Sequence, residues 1–235
     1  LAEGNLCHPH SVYFYGQGEV NVADYIRAAE QFENVKCSVA MHKGTHSVYA
    51  RRIDRSSEPG IVPWAKALGI WGTNARTKEV PAAAFSLTNR QLALLLGRLW
   101  SGDGHLGRRP RGAVSAYYAT ASERLARQVQ HLLLRLGVVS RVRQQVFPYK
   151  EGRIGFQVHV MGGEQLRNFA SALGPHLLCT EHQMICRWLL SEATQPDKSS
   201  RDTIPMAVKE LVRAEKDAAG ITWLQVNGDS GVAQR

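Results

Sequence analysis

Two acid–glycine pairs, Glu3-Gly4 and Asp103-Gly104, stand 100 residues apart (103 minus 3) in a chain of 235 residues. The second closes a segment with helical character, and the first copy is placed like it in the repeat described below. The C-terminal end of a helix carries partial negative charge from unpaired carbonyls. A carboxylate there adds a full charge, and two such ends brought together repel unless a divalent cation lies between them. Hard oxygen ligands with open positions suit Mg2+ (or Mn2+), which keeps waters and accepts phosphate oxygens. An ion so held activates water and steadies a leaving oxygen. The chemistry suggested is metal-assisted phosphodiester hydrolysis. The plainer account, two helices each stopped by a glycine, explains the glycines and leaves both acids unexplained.

The elements that must position these acids form an internal repeat. Tyr13-Phe14-Tyr15-Gly16-Gln17-Gly18-Glu19 resembles Tyr117-Tyr118-Ala119-Thr120-Ala121-Ser122-Glu123, an offset of 104 (117 minus 13). A helical pattern follows each copy: Val22, Tyr25, Ile26, Ala29 and Phe32 in the first, Leu125, Val129, Leu132, Leu133 and Leu136 in the second. Asn21 and Ser122 are the expected N-caps, and Gly137 the expected stop. Strand-like runs come next, over residues 35–42 and 46–53 in the first copy and 139–147 and 154–161 in the second. The expected order per copy is helix end, strand, helix, strand, strand, helix.

A helix is also expected over residues 89–101, with Thr88 and Gln91 as a capping box. Leu92, Leu95, Leu96 and Leu99 give it an apolar stripe. Ala93, Gly97 and Ser101 form a stripe of small residues that would let another helix approach closely. Residues 194–201 read as a polar linker, and 207–219 as a short helix ended by Gly220. The fold class expected is α+β: two pseudo-twofold-related αββαββ lobes plus a C-terminal helical extension, with the saddle-shaped DNA-binding sheets that the family resemblance given below implies. The boundaries expected are 1–87, 88–195 and 196–235.

Charge points to the partner. Lys plus Arg is 29 and Asp plus Glu is 20, a net +9, which draws a protein of this size to polyanions, nucleic acid first. Arg141, Arg143 and Gln145 alternate with Val142 and Val146, the pattern of a strand face able to read guanine and adenine edges. In the first copy Lys36 and His42 alternate against Val35, Cys37, Val39 and Met41, with Arg51 and Arg52 closing the neighbouring strand. Arg108, Arg109 and Arg111 form a basic loop suited to phosphate contacts. Double-stranded DNA is the expected partner, bound by a monomer with internal pseudo-symmetry.

Other classes are disfavoured. No apolar run is long enough to span a membrane, and no signal peptide is visible. Cys7, Cys37, Cys179 and Cys186 have no Cys-x-x-Cys spacing. That fits a reducing cytoplasm, with nucleoid association when bound to DNA. Cys7-His8-Pro9-His10 and Cys179…His182…Cys186 lack the paired spacing of a zinc site and read as thiols and surface histidines.

A family resemblance gathers these features. Residues 96–104, Leu-Gly-Arg-Leu-Trp-Ser-Gly-Asp-Gly, resemble the nonapeptide of LAGLIDADG homing endonucleases, and Leu1-Ala2-Glu3-Gly4 resembles its last four positions in a second copy. Lys78-Glu79-Val80-Pro81 resembles the family's Lys-x-x-Pro block, and residues 122–138 the block after the second motif. The resemblance covers most of residues 1–142, and it is closest to nucleases embedded in inteins of bacterial replication proteins. It implies site-specific, metal-dependent double-strand cleavage of DNA. Glu3, Asp103 and Lys78 would be catalytic, and Glu3, Asp103, Gly4 and Gly104 would form the metal site. Arg98 stands where the family often has glycine. The first motif helix is expected to be cut to about its last turn. No second lysine block is evident at Asp202-Thr203-Ile204-Pro205. Splicing by this chain alone is not expected, since it starts at Leu1 and lacks a His-Asn ending. Two alternatives share the fold: a DNA-binding regulator without cleavage, and an RNA maturase.

Overall fold

In the computed structural model, which describes residues 1–8, 10–108, 113–147, 152–191, 206–223 and 225, the sequence repeat is a repeat of structure. The first lobe runs β1 (Gly4–Asn5), β2 (Tyr13–Gly16), α1 (Glu19–Ala29), β3 (Val35–His42), β4 (Thr45–Arg52) and α2 (Ile61–Ala67). The second runs α3 (Asn89–Asp103), β5 (Gly104–Arg108), β6 (Val114–Thr120), α4 (Glu123–Arg135), β7 (Ser140–Phe147), β8 (Arg153–Val160), α5 (Gly162–Leu173) and α6 (Thr180–Ser191). Each lobe forms a four-stranded antiparallel sheet of the same order, β1-β2-β4-β3 and β5-β6-β8-β7. Gly4 pairs with Phe14 and Phe14 with Val48; Gly104 pairs with Tyr118 and Tyr118 with Val158. Phe14 and Tyr118 are therefore equivalent, at the offset of 104 read from the sequence.

β1 and β5 supply the first strand of each expected αββαββ lobe, a strand missing from the order read segment by segment. The backbone leaves each acid–glycine pair already extended, as β1 and β5, instead of entering a loop. Leu1 to Glu3 are not helical, so the expected last turn of a first motif helix is absent from the described chain. Asn21 is not an N-cap: α1 starts two residues earlier, after Gly18. Ser122 does cap α4, accepting from the Leu125 amide, and Gly137 follows that helix in the left-handed region at φ 72°.

The α3 helix carries the larger core. Thr88 and Gln91 make the capping box, and Leu92, Leu96, Leu99 and Trp100 are buried. They pack with Leu125, Val129, Leu132 and Leu133 of α4 and Phe169 and Leu173 of α5. A smaller core in the first lobe gathers Leu6, Val12, Ala29, Val35, Ala50, Ile61, Val62, Ala65 and Ile70. The small stripe on α3 is covered, but not by a helix at Gly97. A Cβ there would come within 2.6 Å of His176 Cβ, in the short 3-10 turn Gly174–His176. Ser101 Oγ accepts from the Leu178 amide beside that turn.

Leu1–Asp197 form one compact unit and Lys198–Arg235 another. In the second, α7 (Met206–Ala218) is followed by Gly220 at φ 62°. The linker expected over 194–201 and the segment 202–205 lie outside the described residues. Among the described residues no helix is long and apolar enough to cross a membrane.

Candidate active site and nucleic-acid face

Glu3 and Asp103 meet where α3 touches the first residues of the chain. A Cβ placed on Gly102 would lie 2.6 Å from Ala2 Cβ and 3.2 Å from Glu3 Cγ. Glycine at 102 is thus what lets the two motif segments approach, and it sets Glu3 beside the residue preceding Asp103. Gly104 has a different task. Its φ of −92° is one any residue adopts, so it is no left-handed helix stop. A side chain there would collide with the Trp100 ring and carbonyl.

Lys78 joins the acids. Its ammonium lies 3.5 Å from an Asp103 carboxylate oxygen and donates to the Ala2 carbonyl at 3.3 Å. The neighbouring residues fix it there from both sides. The Lys78 amide donates to Asn74 O at 2.9 Å. Glu79 pairs with Arg124 of α4, and the Val80 amide donates to Gln128 Oε1 at 2.8 Å. Pro81 then leads into a 3-10 turn, Ala82–Ser86. The lysine block is therefore docked on the second lobe while its ammonium reaches the first.

Burial pushes the Glu3 carboxyl above its ordinary value, and the charge of Asp103 adds to that while Lys78 opposes it. Burial likewise raises Asp103, against the pull of Lys78. Burial is the larger cause of both shifts, and Lys78 offsets part of each. The donor set fits a hard divalent cation. It offers carboxylate oxygens only, and among the described residues no three His, Cys, Asp or Glu side chains cluster as a complete metal cage. Mg2+ or Mn2+ held by two carboxylates would complete its shell with water and phosphate oxygens. The Cys7 thiol donates to the Thr73 carbonyl at 3.0 Å, and Cys186 is buried.

The residues expected to meet DNA divide. Arg141, Arg143 and Gln145 share the outer face of β7, opposite His159, Gln157 and Gly155 of β8, and all three are exposed. Arg51 lies on the outer face of the first sheet opposite Lys36, its guanidinium 5.4 Å from the Tyr49 ring centre. His42 is exposed on the same side. Lys36 is on that face, but its charge is matched by Glu30 at 3.1 Å. Arg52 pairs with buried Val35 and points to the helix side, because side chains alternate along a strand. Arg108 shares the side of buried Leu106 and stacks on Trp188 of α6 at 4.2 Å. Arg109 and Arg111 lie outside the described residues.

Sequence reasoning missed the aromatic and histidine ladders on both outer faces. In the second lobe the rings of His105, Tyr117 and His159 follow one another at 4.7 and 5.2 Å. In the first, His8, Tyr13 and Tyr49 do so at 4.1 and 4.7 Å. The signal was available: Tyr13 and Tyr117 hold the same place in the repeat, and alternation with Phe14 and Tyr118 turns them outward.

A two-lobed α+β protein with one acid from each lobe and a shared lysine is the class that this geometry defines. Residues 90–174 match the family model described as LAGLIDADG-like domain. A solved structure described as I-DmoI in complex with DNA and Ca has the same fold. It aligns at a TM-score of 0.50 and 8% identity, covering 78% of this chain and 88% of that one. The replicative DNA helicase DnaB of Rhodothermus marinus is 32% identical over 237 residues, covering 96% of this chain and 25% of that protein. DnaB of Synechocystis sp. is 28% identical over 81% of this chain and 22% of that protein. RecA of Mycobacterium tuberculosis is 37% identical over 36% of this chain and 11% of that protein. The chain thus spans about a quarter of the length of the DnaB relatives it matches.

Proposed function

We propose that this chain is a site-specific homing endonuclease, the nuclease portion of an intein, making metal-dependent double-strand cuts in DNA. The observation that carries the reading is the Lys78 ammonium, 3.5 Å from Asp103 and bonded to the carbonyl next to Glu3. A structural ion pair would need one acid. A second acid, pressed against Gly102 and left to repel the first, is what a cation site requires.

Glu3 and Asp103 would hold Mg2+ or Mn2+. When bound, such an ion lowers the pKa of a coordinated water and stabilises the leaving oxygen of a phosphodiester. Gly4 and Gly104 contribute by keeping the backbone beside the carboxylates free of side chains. Lys78 would steady the charge that develops on the phosphate. Arg51, His42, Arg141, Arg143 and Gln145 would contact DNA from the two outer sheet faces, with residues 1–87 and 88–195 serving one half-site each within a monomer. Residues 196–235 would be a C-terminal helical extension, and the site of action the cytoplasmic nucleoid.

The insertion reading is supported by the pattern of relatives. Proteins with different names, a DnaB helicase and RecA, each match this chain over only 25% and 11% of their own length. A mobile segment shared by unrelated hosts leaves that pattern. The neighbour I-DmoI is named as a homing endonuclease and was solved with DNA and Ca, in keeping with a duplex and a divalent ion here.

The test is incubation with randomised duplex DNA and Mg2+, followed by sequencing of cut ends. The reading predicts one enriched site cut on both strands, lost on chelation. Tight binding to duplex without cutting would favour the regulator, and preference for structured RNA over duplex the maturase.

A further inference from the structure

The lobes differ at one pair of equivalent positions, half-buried in the first and fully buried in the second. Phe14 and Tyr118 are equivalent, each paired with the glycine that follows an acid. The first lobe has a phenyl ring there, stacked on Tyr25 with ring centres 4.8 Å apart. The second has a phenol. Tyr118 is fully buried, its ring 6.1 Å from that of Trp100, and its hydroxyl has no hydrogen-bond partner among the described residues. A buried hydroxyl without a partner weakens a fold, and the equivalent phenyl shows that the fold does not need it. Burial first, and then the charges of Asp103 and Glu3, hold the phenol un-ionised. The group is therefore a neutral O–H donor, on the residue paired with Gly104, which directly follows Asp103.

We propose that Tyr118 is a positioning residue of the Glu3–Asp103 site, its hydroxyl donating to a water held by the two carboxylates and so fixing where a divalent cation and its waters sit. This rests on the reading of that pair as a cation site. The hydroxyl enters no covalent step. It orients a ligand water, as outer partners of metal sites do, and it does so from one side only. The second-lobe carboxylate would then be the better ordered of the two, since no hydroxyl stands at Phe14.

The experiment is Mn2+ titration of the full chain followed by electron paramagnetic resonance, with thermal unfolding measured on the same metal-free samples. The variants are Tyr118→Phe, Asp103→Asn and Phe14→Leu. Tyr118→Phe is expected to weaken Mn2+ binding about tenfold, while its melting temperature stays level or rises because an unpartnered hydroxyl is gone. Phe14→Leu is expected to lower the melting temperature and leave the Mn2+ affinity within about twofold of wild type, since its loss is one of packing. Asp103→Asn is expected to abolish binding. If Tyr118→Phe binds Mn2+ as wild type does while Asp103→Asn fails to bind, the role of Tyr118 is overturned and the cation site stands. Failure of the wild-type chain to bind Mn2+ at all overturns both.

Discussion

Arg98, on the helix that ends in Asp103, grips Asp24 of the other lobe with two bonds, Nε to Oδ2 at 2.7 Å and Nη2 to Oδ1 at 3.1 Å. The same guanidinium donates to the His176 carbonyl. One helical turn further on, Asn21 Nδ2 donates to the Ser101 carbonyl at 2.9 Å. The α1 helix of the first lobe is thereby fastened along α3, and the fastening lies next to the junction where Glu3 meets Gly102. Where related motifs often have glycine, this chain has an arginine that ties the lobes.

A double-mutant cycle on Arg98→Met and Asp24→Asn should show the tie. The coupling expected is about 1 kcal/mol, held down because Arg98 is a third exposed and screened. The readout is denaturant unfolding of the four proteins. Additive effects would mean that the pair holds nothing. With it broken, Glu3 should be less well placed, and cleavage should fall more than stability does.

How much of this could be read beforehand differs from element to element. Strand β3 was predicted at its observed bounds, 35–42, because a period-two pattern bounded by polar turns leaves little freedom. The capping box at Thr88 and the offset of 104 were local signals and matched. Direction and partner were not legible. Arg52 and Arg108 look basic and therefore available, but alternation turns them to the helix side, where Arg108 lies on Trp188. Lys36 has the right face and a private partner in Glu30. Gly97 announced a close approach without naming His176, because the turn that covers it is 77 residues further on (174 minus 97). Lys78 was placed by family resemblance; its contact with Asp103 depends on Glu79 and Val80 docking on α4, which no spacing in the sequence encodes.

The outer faces predict a divided set of arginines. Arg141→Ala, Arg143→Ala and Arg51→Ala should each weaken duplex binding and reduce the salt slope by about 0.9 per lost phosphate contact, or relax sequence preference if they reach bases. Arg108→Ala and Arg52→Ala should leave the slope unchanged. Fluorescence anisotropy over a salt series distinguishes them. Equal effects from both groups would contradict the assignment of faces.

Acid pH should strengthen the metal-free fold near this site. Both carboxyls are raised in the folded chain, from ordinary values of 4.5 for Glu3 and 3.8 for Asp103. The folded state then binds protons more tightly than the unfolded one. The stabilising contribution of that protonation is complete below the ordinary carboxylate range and is lost as pH rises through the raised folded values. The difference in melting temperature between wild type and Glu3→Gln should therefore narrow as pH falls from neutral towards 4, with the variant the more stable at neutral pH. A variant less stable than wild type at neutral pH would mean that Glu3 is held by favourable contacts, not by repulsion.

Lys78→Met should retain binding to target DNA within a few-fold, since one half-buried ammonium adds little to the phosphate contacts of the sheets. Cleavage should drop by about a hundredfold, the scale of losing one preorganised charge at the reacting phosphate. Single-turnover rates at saturating enzyme separate the two. A fall in affinity with an unchanged rate would make Lys78 a phosphate anchor only.

The central claim is that Glu3 and Asp103 form one cation-dependent hydrolytic site, and Asp103→Asn tests it most directly. The exchange keeps the shape of the side chain and removes the charge that would hold the cation. Binding to the selected duplex, measured in Ca2+, should match or slightly exceed wild type, because the outer faces are untouched and one carboxylate near the phosphates is gone. Cleavage in Mg2+ should fall by several orders of magnitude, roughly the share of catalysis that a water-activating ion supplies. Cutting of both strands by Asp103→Asn at the wild-type rate would contradict the account.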